Sequence, residues 1–264
     1  MDVARQQTAE PDTKRHANPS RPWTLRIGKK ARRSINRLVA RYSLVPVEPV
    51  LDPAAFPWLK ELEEAAPQIQ AEADRLLRHL DGVPPINVMS PDHQRIAGDG
   101  GWRSFFMMGY GYKIEGNWSR CPDTARALEK VPGLVTALFS ILQPGMHIAR
   151  HKGVTKGILV THLGLRVPKE GDRCRMEVGG VDVRWREGGT VVFDDTFPHE
   201  VWNDTDEHRV ILLVQFKRPM RLIGRIVSNL FIWGVRHSPY IQDARRNVGY
   251  WEQRLAQSEA SLSD

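Results

Sequence analysis

The segment GGTVVFDDTFPHEVWNDTDEHRVILLV, residues 188 to 214, alternates apolar, β-branched runs with turn-forming breaks. Its runs GTVVF, EVWN and RVILLV are each short enough to be a strand, and the polar stretches between them supply the turns. Towards the N-terminus the same punctuation continues. VTALFSILQ, GILVTHLGLRV, RCRMEV and VDVRWRE follow one another from residue 135, parted by Gly and Pro. Short strands at this spacing, with no internal repeat, predict a β sandwich or barrel. Ahead of them the periodicity is helical. FPWLKELEEAA (56–66) reads as a short amphipathic helix, QIQAEADRLLRHL (68–80) as a second one opened by Pro67 and stopped at Asp81-Gly82, and PDTARALEKV (122–131) as a third. INVMSPDHQRIAGDGG (86–101) reads as a polar, Gly-rich loop, and WRSFFMMGYGYKI (102–114) as a strand or hairpin leading into a further loop.

A chain of 264 residues with 41% hydrophobic and 26% charged content can bury a substantial core. Its two cysteines, Cys121 and Cys174, lie far apart, which fits a reducing cytoplasm and argues against a disulfide scaffold. The polar first twenty residues lack the apolar core of a secretory signal.

The net charge of +7 is unevenly spread. Ten Lys and Arg residues fall between Lys14 and Arg41 and five more between Lys217 and Arg236, with no acid in either stretch. The body between them is net acidic, so the chain reads as an acidic core with two basic appendages. Both appendages carry apolar residues at helical spacing, in TLRIGKKARRSINRLVARYS (24–43) and RPMRLIGRIVSNLFIWGVRH (218–237). The second is interrupted by Arg225 and is too short to span a bilayer. Basic amphipathic helices with Trp and Phe suit an anionic membrane surface; packing on the core with a solvated basic face is the alternative. No nucleic-acid module accompanies the charge, and nucleic acid is not expected as a partner.

The strands also carry polar residues. His151 and His199 each stand at a strand edge beside turn residues, Arg209 follows His199 by ten positions, and Ser140 precedes His151 by eleven. Taken alone, each histidine reads as structural. Together, two neutral imidazoles suit a borderline metal such as iron, and a buried arginine can grip a carboxylate in a two-point fork. In a common iron site the position two after the first histidine is Asp, whereas here it is Gly153. Asp194 and Asp195 read as partners orienting an imidazole or as turn residues, and His147 and His208 as surface histidines. There is no GxSxG, no P-loop and no dinucleotide fingerprint.

The blocks SILQPGMHIARHKG (140–153), THLGLRVPKEGDRCRMEVGG (161–180) and residues 188 to 214 resemble the aspartyl/asparaginyl β-hydroxylase family. FDDTFPHEVWND (193–204) is the most specific of these, and the likeness covers roughly residues 90 to 218. The resemblance implies a mainly β chain with flanking helices around a double-stranded β-helix (jelly-roll) core, and an Fe(II)- and 2-oxoglutarate-dependent oxygenase. It implies that His151 and His199 hold iron, that Arg209 grips the distal carboxylate of 2-oxoglutarate assisted by Ser140, and that His162 lines the cosubstrate pocket. The family's usual glycine in place of the carboxylate makes Gly153 ordinary for it. One departure is Val160, where the family commonly has an arginine two residues before the pocket histidine. The SPDHQRI, WRSFFMMGYGY, RCPDTARAL and VPGL segments look most like the bacterial branches that hydroxylate fatty acyl chains of lipid A and ornithine lipids.

These readings combine into a cytoplasmic hydroxylase of a lipid acyl chain, peripheral at the inner face of the membrane. The expected divisions are a basic extension over 1–50, an oxygenase domain over 51–218 and a basic helical tail over 219–264. The alternatives are hydroxylation of a free amino acid or of a peptidyl Asp or Asn side chain, a non-catalytic β-helix binding module, and a halogenase using the room left by Gly153.

Overall fold

The computed structural model describes residues 23–89, 96, 100–238 and 241–242. The ends of both basic appendages (1–22 and 243–264) and most of the 90–99 loop lie outside the described residues. The chain opens with helix α1 (Trp23–Arg41) and strand β1 (Val50–Leu51), then α2 (Leu59–Glu64), α3 (Ala66–Arg78) and α4 (Ile86–Met89). A hairpin of β2 (Trp102–Gly109) and β3 (Tyr112–Lys113) leads into α5 (Glu115–Arg120) and α6 (Pro122–Glu129). The β core follows as β4 (Leu134–Leu142), β5 (Met146–His151), β6 (Ile158–Arg166), β7 (Cys174–Val178), β8 (Val181–Val183), β9 (Thr190–Phe193), β10 (His199–Asn203) and β11 (Arg209–Lys217), and α7 (Leu222–Arg236) closes it.

Two antiparallel sheets face each other, one ordered β1-β9-β6-β11-β4-β2-β3 and the other β5-β10-β7-β8. From β4 onward the chain swings back and forth between the sheets. This is the double-stranded β-helix core that the sequence implied, mainly β with flanking helices. The central strands β4, β6 and β11 are buried almost throughout, so both their faces are covered. Alternation sorts their residues. Phe139, Ile141, Leu163, Val210 and Leu212 join the cluster beneath the helices, whereas Leu142, Val160 and Ile211 face the smaller sheet with Ile148, Met176 and Val201. The helical layer is fastened by a buried carboxylate. Glu72 on α3 accepts the Asp123 and Thr124 N–H groups at 2.9 Å each, so a charge from one helix satisfies the free donors at the start of α6.

Two local outcomes differ from the sequence reading. INVM forms one helical turn where a loop was expected, and EGNWSR forms α5, anchored by Trp118 Nε1 donating to the Met107 carbonyl at 2.6 Å. Helix α7 buries Gly224, Ser228 and Ile232 and leaves five of its large apolar residues, Leu222, Ile223, Ile226, Leu230 and Trp233, between 52% and 67% exposed. The small face fits because the approach is close: a Cβ at Gly157 would lie 1.9 Å from Ser228 Oγ. The end of α1 and the start of α7 are stitched together by Leu44 N–H to Pro219 O and Arg221 N–H to Tyr42 O, both 2.9 Å. Among the described residues, no helix is long and apolar enough to cross a membrane.

Candidate active site

Strands β5 and β10 pair antiparallel with His151 directly opposite His199, and the register slips by a bulge just after His199. This pairing brings the two imidazoles to 4.0 Å between ring centroids, tilted 55°. Each ring is oriented by main chain two residues before it. His151 Nδ1 lies 2.8 Å from the Ala149 carbonyl, and His199 Nδ1 lies 3.0 Å from that of Phe197. A carbonyl can only accept, so both Nδ1 atoms carry the proton and both Nε2 atoms keep a lone pair. Burial holds both rings neutral. It lowers the His151 pKa and takes that of His199 to about 4, with the neighbouring imidazole adding to the second shift. Two neutral, oriented imidazoles with free lone pairs are what a metal such as iron needs. Among the described residues, no three His, Cys, Asp or Glu side chains form a metal cluster.

The glycine two positions after His151 has a structural reason. A Cβ at Gly153 would sit 2.1 Å from the Asp195 carboxyl, and Gly153 N–H donates to the Asp195 carbonyl at 2.6 Å. The space that an aspartate at 153 would take is therefore filled by a carboxyl from the opposite turn. Asp195 Oδ1 is buried with no hydrogen-bond partner, and burial together with adjacent Asp194 raises its pKa to about 7. Gly153→Ala should consequently cost about 1–3 kcal/mol in unfolding experiments, as overpacking does, and the double variant Gly153→Ala/Asp195→Ala should recover most of it. A Gly153→Ala protein as stable as wild type would show that the Asp195 carboxyl gives way freely.

Behind the imidazole pair, β4, β6 and β11 contribute Ser140, His162 and Arg209, all at most 5% exposed. Arg209 is 1% exposed, yet its Nε and Nη1 have no partner, and its guanidinium lies 4.9 Å from the Trp185 ring centroid. Burial lowers its pKa to about 10, which leaves it cationic at neutral pH. His162 Nδ1 accepts from Trp185 Nε1 at 3.2 Å, so its proton sits on Nε2, and that buried atom is also without a partner. Burial and Arg209 push the His162 pKa well down, so the ring is neutral. Ser140 Oγ accepts from Trp102 Nε1 at 2.9 Å and keeps its own proton to donate. The Arg209 and His162 donors are thus buried with nothing to receive them, and Ser140 keeps a proton on the same face of the sheet, an arrangement complementary to a carboxylate-bearing ligand. Val160, on the same face of β6 as His162, belongs to the apolar wall with Phe193 and Ile211.

All five sequence-selected residues therefore converge. Two others were missed. Trp185 holds His162 and flanks Arg209, and Trp102 orients Ser140; in a strand-rich chain both read as ordinary core. Asp194 and Asp195 do not hold the imidazoles through their carboxylates, since backbone carbonyls do that. Asp194 instead accepts from Lys156 Nζ at 2.9 Å and from Arg218 Nη2 at 2.5 Å. His147 is exposed and pairs with Glu200 at 2.7 Å.

The family model for aspartyl/asparaginyl β-hydroxylases matches residues 63–219. The chain belongs to the aspartyl/asparaginyl β-hydroxylase family. It is 38% identical over 221 residues, 83% of this chain and 79% of the relative, to the ornithine lipid ester-linked acyl 2-hydroxylase of Rhizobium tropici. It is 34% identical over 134 residues, 49% of this chain but 17% of that protein, to the aspartyl/asparaginyl β-hydroxylase of Homo sapiens. Among solved structures, a prolyl-4-hydroxylase from Pseudomonas putida matches 58% of this chain and 87% of its own, at 16% identity and a TM-score of 0.35.

Proposed function

We propose that this member of the β-hydroxylase family is an Fe(II)- and 2-oxoglutarate-dependent hydroxylase of a fatty acyl chain in a membrane lipid of the ornithine-lipid or lipid A type. It works peripherally at the inner face of the cytoplasmic membrane, with residues 51–218 as the oxygenase domain between two basic appendages. The donor set fits the cofactors. His151 and His199 offer two Nε2 lone pairs for iron, Arg209 and Ser140 offer donors for the distal carboxylate of 2-oxoglutarate, and His162 offers its Nε2–H to the same cosubstrate. Iron and 2-oxoglutarate, when bound with dioxygen, supply the oxidising power that converts a C–H bond to C–OH, with succinate and carbon dioxide as coproducts. The protein's own share is to orient the imidazoles through Ala149 and Phe197, anchor the carboxylate in the pocket, and keep water out with Val160, Phe193 and Ile211.

The lipid reading is carried by the orientation of α7. A helix that buries Gly224, Ser228 and Ile232 while exposing Leu222, Ile223, Ile226, Leu230 and Trp233, with Arg221 and Arg225 at its start, has most of its stickiest surface turned outward. Lying in the plane of an anionic interface would bury that surface. The Rhizobium tropici relative, which acts on an ornithine lipid, agrees with this choice. The test is lipid mass spectrometry of a host with and without the protein, expecting one lipid class to gain a single oxygen. In vesicles, Ile226→Ser/Leu230→Ser should lower hydroxylation by at least about tenfold, because each buried aliphatic side chain contributes roughly 1.5–3 kcal/mol. Detergent-dispersed lipid should be hydroxylated nearly as by wild type. Oxygen gained by a free amino acid or an Asp/Asn peptide, with every lipid unchanged, would replace this reading by its rival.

A further inference from the structure

One face of α1 meets the loop that follows His151. Arg33, Asn36, Arg37 and Ala40 recur at helical spacing, and together with Lys156 they line a cavity of about 510 Å³. Asn36 pins the two walls together. Its Nδ2 donates to the Val154 carbonyl at 3.3 Å, and its Oδ1 accepts the Lys156 N–H at 3.0 Å.

Cations outnumber anions around this cavity. Asp194 is already engaged by both Lys156 and Arg218, and Arg218 is fully buried. Arg33 and Arg37 add two more guanidinium groups, and among the described residues neither has a carboxylate at ion-pair distance. No acid occurs anywhere between Lys14 and Arg41 to relieve this. The Lys156 ammonium is held by Asp194 and Thr196 and the Asn36 amide by the loop backbone, so the open groove itself is lined by aliphatic stems. Its free charge comes from Arg33 and Arg37, both exposed, whose guanidinium groups can take phosphate or carboxylate in a two-point fork at its rim. The aliphatic stems of the same side chains and the Ala40 methyl suit the apolar atoms beyond such a group.

The position of the cavity links it to the imidazole pair. Lys156 belongs to the loop that leaves His151, and its Nζ bonds Asp194 and Thr196, each at 2.9 Å, in the turn that leads to His199. We infer that this cavity binds the oxyanion, phosphate or carboxylate, of a membrane lipid's head group and thereby sets how the attached acyl chain reaches the imidazoles. The inference rests on the lipid reading given above and adds to it a head-group subsite on α1.

The test is binding, without turnover, of the full-length protein to phosphatidylcholine vesicles with and without phosphatidylglycerol. Arg33→Gln/Arg37→Gln removes two charges from the cavity, and Arg32→Gln/Arg41→Gln removes two from elsewhere on α1. The cavity variant should lose at least about tenfold more affinity for the phosphatidylglycerol vesicles than its charge-matched control, because charge-assisted hydrogen bonds are lost as well as general attraction. Ala40→Phe, which fills the cavity and leaves the charge unchanged, should reproduce that selective loss. Inorganic phosphate should displace wild-type protein from vesicles better than chloride at equal ionic strength. Equal losses in the two double variants would mean diffuse attraction and would overturn the cavity. Tight binding of inorganic phosphate by lipid-free protein, with vesicle affinity unaffected in the cavity variant, would make it a soluble-anion site and overturn the lipid source. Because the readout is binding, absence of lipid hydroxylation by wild type would sink the proposed reaction separately, whereas equal losses sink only the cavity.

Discussion

Arg209→Met should raise the 2-oxoglutarate concentration needed for half-maximal succinate formation by roughly a hundredfold, the loss expected for a buried charge-assisted fork of about 3 kcal/mol. The same variant should be at least as stable as wild type when no ligand is present. Those two expectations pull in opposite directions for a physical reason. Arg209 is 1% exposed and remains cationic, but two of its nitrogens have no acceptor and its nearest aromatic neighbour is the Trp185 ring. An unpaired guanidinium in an apolar interior opposes folding, and an apolar side chain of similar volume removes that penalty. Only a ligand carrying the missing charge makes the position favourable. Arg209→Lys should fall between, since the ammonium keeps the charge without the fork. Succinate release as a function of 2-oxoglutarate gives the first measurement and thermal unfolding of the ligand-free protein the second. Unchanged 2-oxoglutarate dependence would place the carboxylate anchor elsewhere, and a less stable Arg209→Met protein would give the arginine a structural role.

The parts of this site that were legible in the sequence are those with a local signature. His199 follows Phe197-Pro198 at a strand edge, and Arg209 opens a strand of continuous apolar residues where a charge is conspicuous. The β core was legible because Gly and Pro punctuate it at strand spacing. What stayed hidden depends on contacts between distant segments. Nothing near Trp185 indicates that its indole N–H fixes the tautomer of His162, 23 residues earlier. The family resemblance made Gly153 ordinary, but the physical reason for the glycine, the Asp195 carboxyl beside it, is not written near residue 153. The helical period in 218–237 announced α7 but left open whether its apolar stripe packs on the core or faces outward. Only the close approach at Gly157 and Ser228 shows that the small face is the one that docks.

His151→Ala and His199→Ala should each reduce iron retained after dialysis to background and abolish oxygen-dependent succinate formation. The expectation follows from how little else the site offers. Among the described residues no third His, Cys, Asp or Glu completes a cluster with the pair, and the position after His151 that would carry a carboxylate is Gly153. Even a lost hydrogen bond behind a metal ligand typically costs about 10- to 100-fold in affinity, and loss of one of only two imidazoles should exceed that. The pH dependence of iron retention should also be displaced. Metal binding requires neutral imidazole, and protons compete for the same lone pair. Burial lowers both imidazoles below the ordinary histidine value, and His199 falls to about 4. As pH falls, both rings in the folded site therefore gain their proton later than exposed histidines do, so iron should be retained to lower pH than an exposed pair would allow, with release set by whichever ring protonates first. For ligand-free protein the sign is the same. The unfolded chain binds protons at these positions first, so between the two pKa values they lower stability as pH falls. Asp195, whose pKa is raised to about 7, acts oppositely over the same range, so Asp195→Asn should steepen the decline. Either alanine variant retaining iron and turnover near wild type would mean that the paired imidazoles at the β5–β10 register are structural and that the metal is held by other groups.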